Sequence, residues 1–241
     1  MRAVTAVDVP QWLLSAWQRA VADAGATAQP AQVAEAGERL LARWQEPGRH
    51  FHTVRHLADV LAKVDELSPE AHAPHLVRLA AWYHGVVFSA AGEAAYAHRG
   101  GEDEAASAEL AREELRELGV PDVDAQRVHD LVLALSRHAA DGRDVDCAVL
   151  CDADLAVLAT EPQRYRAYLE DVRAEYAHIP QRDFLEARSA ILARLLARPS
   201  VFVTPLARAW EEPARQNLAA EQQRVTKELA RLDAESPRGD E

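Results

Sequence analysis

Apolar residues recur at helical spacing along nearly the whole chain, and alternating strand patterns are hard to find. Leu57, Leu61 and Val64, for example, follow the three- and four-residue steps that place side chains on one face of a helix. Alanine, leucine, arginine and glutamate, all good helix formers, dominate the composition, and only 10 of the 241 residues are glycine. The sequence therefore predicts an all-α fold, a compact bundle of several helices.

Proline, glycine and polar residues divide this pattern into helices of ordinary length. The predicted helices cover residues 8–24, 30–44, 53–66, about 76–87, 102–118, about 128–138, 146–158, 161–177, 181–197 and 204–232. The small residues at 89–101 predict a flexible loop. With no internal repeat and no long linker, we expect one domain over residues 1–235 and a disordered tail at 236–241. The last helix packs either on this domain or on a second subunit, as in a homodimer.

The charge and the cysteines of the chain limit its partners. A net charge of -12 argues against a nonspecific grip on nucleic acid, which needs a basic face. A small phosphorylated substrate stays compatible, because a bound metal ion makes one site locally positive. We expect no membrane span and no signal peptide, and reduced thiols at Cys147 and Cys151 fit a cytoplasmic protein. Both cysteines are interpreted as buried residues, since no second thiol pair completes a zinc site.

Four histidines are candidates for chemistry, and each has a structural alternative. His52 and His56 are four residues apart and project to one side of a helix, where they form a metal clamp or a helix start and a core histidine. His84 lies near the buried stripe of its helix, where its ring needs hydrogen bonds or a metal. His138 lies at the end of an apolar helix face, where it either caps the helix C-terminus or belongs to a functional site.

Carboxylates in apolar surroundings are the second signal. Asp154 shares a helix face with Leu150 and Leu158, and a buried carboxylate is costly unless it is paired or binds a metal. Asp152 is compatible with an N-terminal helix position, where a negative charge is favoured. Glu175 is interpreted as a charge on a solvated helix face. Asp154 is therefore the carboxylate for which a purely structural role is the least satisfactory explanation.

Five short motifs occur in an order that resembles the HD-domain superfamily, and within it a bacterial branch of small metal-dependent HD phosphohydrolases. In this chain they read FHTVRHLADVL at 51–61, AAWYHGVVF at 80–88, DEAASAELA at 103–111, CDADLAVLA at 151–159 and RPSVFVT at 198–204. The resemblance covers about residues 38–220. It implies a helical bundle with a metal at its centre and hydrolysis of a nucleotide or another small phosphate ester.

The resemblance also implies roles for individual residues. A divalent metal ion (Mn, Mg, Zn, Fe, Co or Ni) would be held by His56, His84 and Asp154. The resemblance also implies catalytic roles for three residues near the ion, Glu104, His138 and Asp152. His52 would support the metal ligands.

Gly85 departs from the family pattern, because the signature aspartate should directly follow His84. Inside the predicted helix, a glycine offers no ligand and weakens the helix by about 1 kcal/mol relative to alanine. Three remaining ligands suit a weakly bound, mononuclear metal, with Asp152 or Glu104 as substitutes. Two hypotheses follow. One is a working phosphohydrolase whose metal binding and phosphate release Gly85→Asp would raise. The other is a degenerate protein that binds a ligand or partner without hydrolysis.

Overall fold

The computed structural model describes residues 10–89, 101–137 and 143–235, and it confirms the all-α prediction. Within these ranges no β-strand forms, and one isolated antiparallel bridge joins Phe88 to Glu102. The α-helices of the described ranges are α1 (Trp12–Asp23), α2 (Pro30–Arg43), α3 (Val54–Leu67), α4 (Pro74–Tyr83), α5 (Glu104–Glu117), α6 (Asp122–Ala134), α7 (Val145–Leu155), α8 (Pro162–Glu175), α9 (Gln181–Leu196) and α10 (Glu211–Glu235).

Helix α4 lies at the centre of the bundle and packs against α1, α3, α5, α6 and α7. Seven of its ten residues are buried, which explains why its sequence is apolar almost all round. Tryptophans support it from neighbouring helices. The indole Nε1 of Trp17 donates to the carbonyl of Val33 at 2.7 Å, and that of Trp44 donates to the carbonyl of Trp82 at 3.1 Å. These hydrogen bonds satisfy buried N–H groups and fix the rings against α4.

Helices α8, α9 and α10 form the other side of the bundle, and one cluster of buried apolar side chains draws residues from all ten helices. A buried ion pair joins α9 to α10. The Nε atom of Arg188 donates to Oε1 of Glu221 at 2.6 Å, and the Tyr165 hydroxyl from α8 donates to Oε2 of the same carboxylate at 2.5 Å. The polar groups of this interior are therefore matched to each other.

Helix α4 ends four residues earlier than the sequence predicted. Its last residue is Tyr83 rather than Val87, because His84 is extended (φ -61, ψ 130) and Gly85 has a φ of +64. A positive φ costs glycine little and most other residues more. Gly85 therefore lies beyond the helix, and the expectation that it weakens a helix interior was wrong.

Three later helices are also divided. The one predicted at about 128–138 is α6, which begins at Asp122, followed by a 3-10 turn at Leu135–Arg137. The predicted helix 146–158 is α7 followed by a 3-10 turn at Ala156–Ala159, and 204–232 is a 3-10 turn at Leu206–Trp210 followed by α10. The predictions for the first nine residues, for the loop at 90–100, for 138–142 and for the tail at 236–241 lie outside the described residues. In the part of the chain that the structure describes, no helix is long and apolar enough to cross a membrane.

Candidate metal centre

Three of the predicted ligands meet inside the bundle. The Nε2 atom of His56 lies 3.1 Å from Nε2 of His84 and 3.2 Å from Oδ1 of Asp154, and the His84 nitrogen is 3.6 Å from the same oxygen. One ligand atom from each residue lies within 4.8 Å of the other two. This histidine–aspartate cluster (His56, His84 and Asp154) could therefore hold a metal ion.

Local structure decides which atoms His84 presents. Its Nδ1 lies 2.6 Å from the carbonyl oxygen of Ala81, one turn back on α4. Because a carbonyl only accepts, Nδ1 carries the hydrogen and Nε2 directs its lone pair into the cluster. Burial lowers the pKa of His84 despite the nearby Asp154 carboxylate, and His56 lowers that pKa further. His84 is therefore neutral, which is the form that binds metals.

Aromatic rings close one side of the cluster. The Trp44 ring lies 5.1 Å from the His84 ring, and the Phe51 ring lies 4.5 Å from the His56 ring. His56 and His84 are 5% and 2% exposed, whereas the side chain of Asp154 is 15% exposed. Solvent therefore reaches the cluster from the side of Asp154.

A buried carboxylate on α8 holds the segment that precedes α3. Oε1 of Glu175 accepts hydrogen bonds from the backbone N–H groups of His50, Phe51 and His52 at 2.8, 2.9 and 2.8 Å. Its Oε2 lies 2.8 Å from Nδ1 of His52. Burial alone would raise the pKa of Glu175, but the His52 ring and the backbone donors outweigh it and lower that pKa. The interpretation of Glu175 as a solvated charge was wrong, because the residue is only 4% exposed.

His52 stands beside the cluster as a charged group. Burial opposes its charge, but the carboxylates of Glu102, Glu175 and Asp154 outweigh burial and raise the pKa of His52 to about 9. Its ring centroid lies 5.6 Å from that of His56. The side chain predicted to support the ligands is thus a fixed positive charge at neutral pH.

Arg49 connects the two segments that carry the histidines, and sequence reasoning missed it. Its Nη1 donates to the carbonyls of His52 at 3.1 Å and Gly85 at 2.9 Å, and its guanidinium lies between the rings of Trp44 (5.3 Å) and Phe88 (4.8 Å). Burial lowers the pKa of Arg49 despite the surrounding carboxylates. Arg49 follows a proline and a glycine in the sequence, where no periodic pattern indicates burial.

The structure gives the remaining predicted residues different surroundings. Both oxygens of Asp152 lie 3.0 Å from the backbone nitrogen of Val203, and its Oδ2 also accepts from the nitrogen and hydroxyl of Thr204, each at 2.7 Å. Asp152 thus fixes the late Arg-Pro motif to α7, and burial raises its pKa against these donors. Glu104 is the first residue of α5, with its side chain half-buried. His138 lies outside the described residues.

A groove beside His56 leads from the surface towards the cluster. Its volume is about 50 Å³. The residues that line it are His50, Phe51, Thr53, Arg55, His56, Asp59, Val157, Arg164, Ala167, Tyr168 and Asp171. Arg164 pairs with Asp59 at 2.5 Å, and the neighbouring Arg55 is exposed. The groove therefore combines a candidate metal ligand with arginine side chains that suit an anionic ligand.

A larger cavity of about 310 Å³ lies between α8, α9 and α10, lined partly by Phe184 and Arg188. It contains no residue of the histidine–aspartate cluster. Its size alone does not make it the site, because the convergent ligand atoms lie elsewhere.

No protein-family model, no curated protein and no solved structure matches this chain. The assignment of the site therefore depends on its own geometry. Two imidazoles and a carboxylate, contributed by α3, the residue after α4 and α7, lie around one space and could hold a divalent metal ion.

Proposed function

We propose that the chain is a metal-dependent phosphohydrolase of the HD type that acts on a nucleotide or another small phosphate ester. The observation that carries the proposal is the convergence of His56, His84 and Asp154 from α3, the end of α4 and α7. These are the three residues to which the resemblance gives the role of metal ligands. Three protein ligands leave further positions on the ion open for water and substrate.

A divalent ion bound there would supply Lewis acidity and lower the pKa of a bound water. His56 and His84 would hold it through ring lone pairs, with Trp44 excluding water behind His84. The positive charge of His52 would stabilise negative charge that develops on the substrate.

The residues of the groove beside His56 favour a phosphorylated substrate. Arg55 and Arg164 line this groove, and a guanidinium binds phosphoryl oxygens through two parallel hydrogen bonds. The chain as a whole is acidic, with a net charge of -12, and Asp59 and Asp171 also line the groove, so a phosphoryl group would have to compete with these carboxylates for the guanidinium groups. A small phosphate ester fits this arrangement better than a nucleic acid, which requires an extended basic surface.

A second function fits one specific observation, the glycine at position 85. Without an aspartate there, the chain would bind a phosphorylated ligand at the same groove without hydrolysing it. Metal binding without phosphate release would distinguish this function from the first.

Metal content tests the proposal directly. The purified protein, with and without added divalent ions, is compared with His84→Ala and with His75→Ala, which changes a histidine of α4 that contributes no atom to the cluster. We expect near-stoichiometric metal in the wild type and His75→Ala, no metal in His84→Ala, and metal-dependent phosphate release from a panel of nucleotides and small phosphate esters. Metal without release supports the binding protein, and equal metal in all three proteins contradicts the site.

A further inference from the structure

The space of the missing aspartate is taken by another carboxylate. A Cβ atom built on Gly85 would lie 2.7 Å from Oε1 of Glu102 and 3.5 Å from the ring of Trp44. The side chain of an aspartate at position 85 would begin at that Cβ. Glu102 therefore places its carboxylate where the side chain of the signature aspartate would begin.

The backbone brings Glu102 to this place. After Gly85 the chain runs to Phe88, which pairs with Glu102 in the isolated antiparallel bridge. The N–H of Asp103 donates to the carbonyl of Val87 at 2.9 Å on the same side of the bridge. Glu102 is thus held in register with the segment that leaves the histidine–aspartate cluster, and its position does not depend on a flexible surface contact.

The electrostatic surroundings of Glu102 are those of the cluster. Its Oε1 lies 3.6 Å from Nε2 of His52, and its charge acts on the pKa of both His52 and His84. The Glu102 side chain is 20% exposed, close to the 15% of Asp154. It therefore combines partial burial with an oxygen beside His52. Glu102 is not among the residues whose ligand atoms lie within 4.8 Å of one another, so its side chain would have to turn to reach an ion held by His56, His84 and Asp154.

We propose that Glu102 replaces the signature aspartate as the second carboxylate of the metal centre. This inference rests on the proposed metal site and deepens it, because the donor set becomes two histidines and two carboxylates. A hard divalent cation is held more firmly by two negative charges than by one. The second carboxylate would then come from the neighbouring segment rather than from the residue after His84. The competing assignment is that Glu102 only pairs with His52.

Titration of the chelator-treated protein with Co²⁺ separates the two assignments, because both affinity and the visible spectrum of Co²⁺ report on ligands. Glu102→Gln keeps the size of the side chain and removes its charge. Glu109→Gln is the matched control, since this exposed residue of α5 pairs with Arg112 and His129. We expect Glu102→Gln to lower Co²⁺ affinity by at least about tenfold, the smallest loss typical even of groups that only support metal ligands.

The Co²⁺ spectrum adds a readout that the pairing with His52 would not move. We expect Glu102→Gln to change the visible bands, Glu102→Asp to restore part of the affinity, and Glu109→Gln to match the wild type, with circular dichroism confirming that all are folded. A folded Glu102→Gln protein with wild-type affinity and spectrum would overturn the inference while leaving the metal site intact. If the wild type binds Co²⁺ no better than His84→Ala, the proposed metal site fails and the role of Glu102 fails with it.

Discussion

Two partly or fully buried carboxylates on different sides of the bundle have very different neighbours. Glu221, between α9 and α10, receives two hydrogen bonds from Arg188 at 2.6 and 3.1 Å and one from Tyr165 at 2.5 Å. Asp154, in the cluster, faces ring nitrogens of His56 and His84 at 3.2 and 3.6 Å. Burial keeps His84 in its neutral form, as the lowering of its pKa indicates.

The difference indicates which buried polar groups serve structure and which suit a ligand. The cation that faces Glu221 is part of the chain, and its bidentate geometry leaves the pair complete. The imidazoles that face Asp154 bring two ring nitrogens to a shared space, and ring nitrogens together with a carboxylate are ligands that suit a metal cation. A buried carboxylate that is paired with an arginine of the chain therefore serves structure, whereas one that faces imidazole nitrogens suits a bound cation.

Removal of Glu221 should have the largest effect on stability and should leave the metal centre unchanged. Glu221→Ala leaves the buried Arg188 without this carboxylate, so we expect the free energy of unfolding to fall by about 3–5 kcal/mol. Urea denaturation measures the loss, and a Co²⁺ titration at low temperature measures the metal bound per folded molecule. Glu228→Ala, at a partly exposed position of the same helix, should lower the free energy of unfolding far less than Glu221→Ala does and leave Co²⁺ binding unchanged. If folded Glu221→Ala protein has lost Co²⁺ affinity, the two regions are coupled and the comparison fails.

A third buried carboxylate, Glu175, has a partner that titrates. Burial opposes the charge of His52, but the carboxylates of Glu102, Glu175 and Asp154 outweigh it and raise the pKa of His52 to about 9. Below the unfolded pKa of 6.5, the charged ring therefore makes its full contribution to the free energy of unfolding. This contribution should disappear as the pH rises from 6.5 through about 9. At 1.36 kcal/mol per unit the loss reaches up to about 3 kcal/mol.

Denaturation of the metal-free protein at several pH values measures this slope. His52→Gln should flatten it, and His75→Gln should retain it. A slope of the same size in His52→Gln would mean that another group is responsible.

Gly85→Asp should have the smallest effect on stability and sharpens the role of Glu102. A residue with a Cβ at a φ of +64 costs about 1 kcal/mol or more, and the new side chain would displace the Glu102 carboxylate. We therefore expect Gly85→Asp alone to leave Co²⁺ affinity unraised, unlike the expectation from sequence. In a Glu102→Ala background the same change should raise the affinity above that of Glu102→Ala. A higher Co²⁺ affinity in Gly85→Asp alone would show that the Glu102 carboxylate does not take the place of an aspartate at position 85.

The helices could be predicted because their signals are local, whereas the set of three ligands followed only from the resemblance of the motifs. Three- and four-residue spacing identified the faces that carry His56 and Asp154, and the apolar run identified α4. The end of α4 was missed, although a glycine just beyond a helix is a common stop signal. The apolar residues Val86 and Val87 continued the pattern past the true end.

The supporting groups could not be predicted, because their partners are distant in sequence. Glu175 binds backbone groups 123 to 125 positions earlier, and no local pattern encodes that distance. Arg49 reaches the carbonyl of Gly85 36 positions later. Glu102 comes beside Gly85 because Glu102 pairs with Phe88 in the antiparallel bridge. Such contacts follow from the packing of whole elements and become visible only with it.

The carboxylate of Glu175 also has a consequence for the order of folding. It binds three consecutive N–H groups at 50–52, and contacts over so many residues form slowly, because the closure of long loops costs chain entropy first. A growing chain has no Glu175 when His52 and His56 leave the ribosome. We therefore expect the histidine segment to reach its final conformation only after α8 has been synthesised and has docked, so that the centre is completed late in the life of the nascent chain.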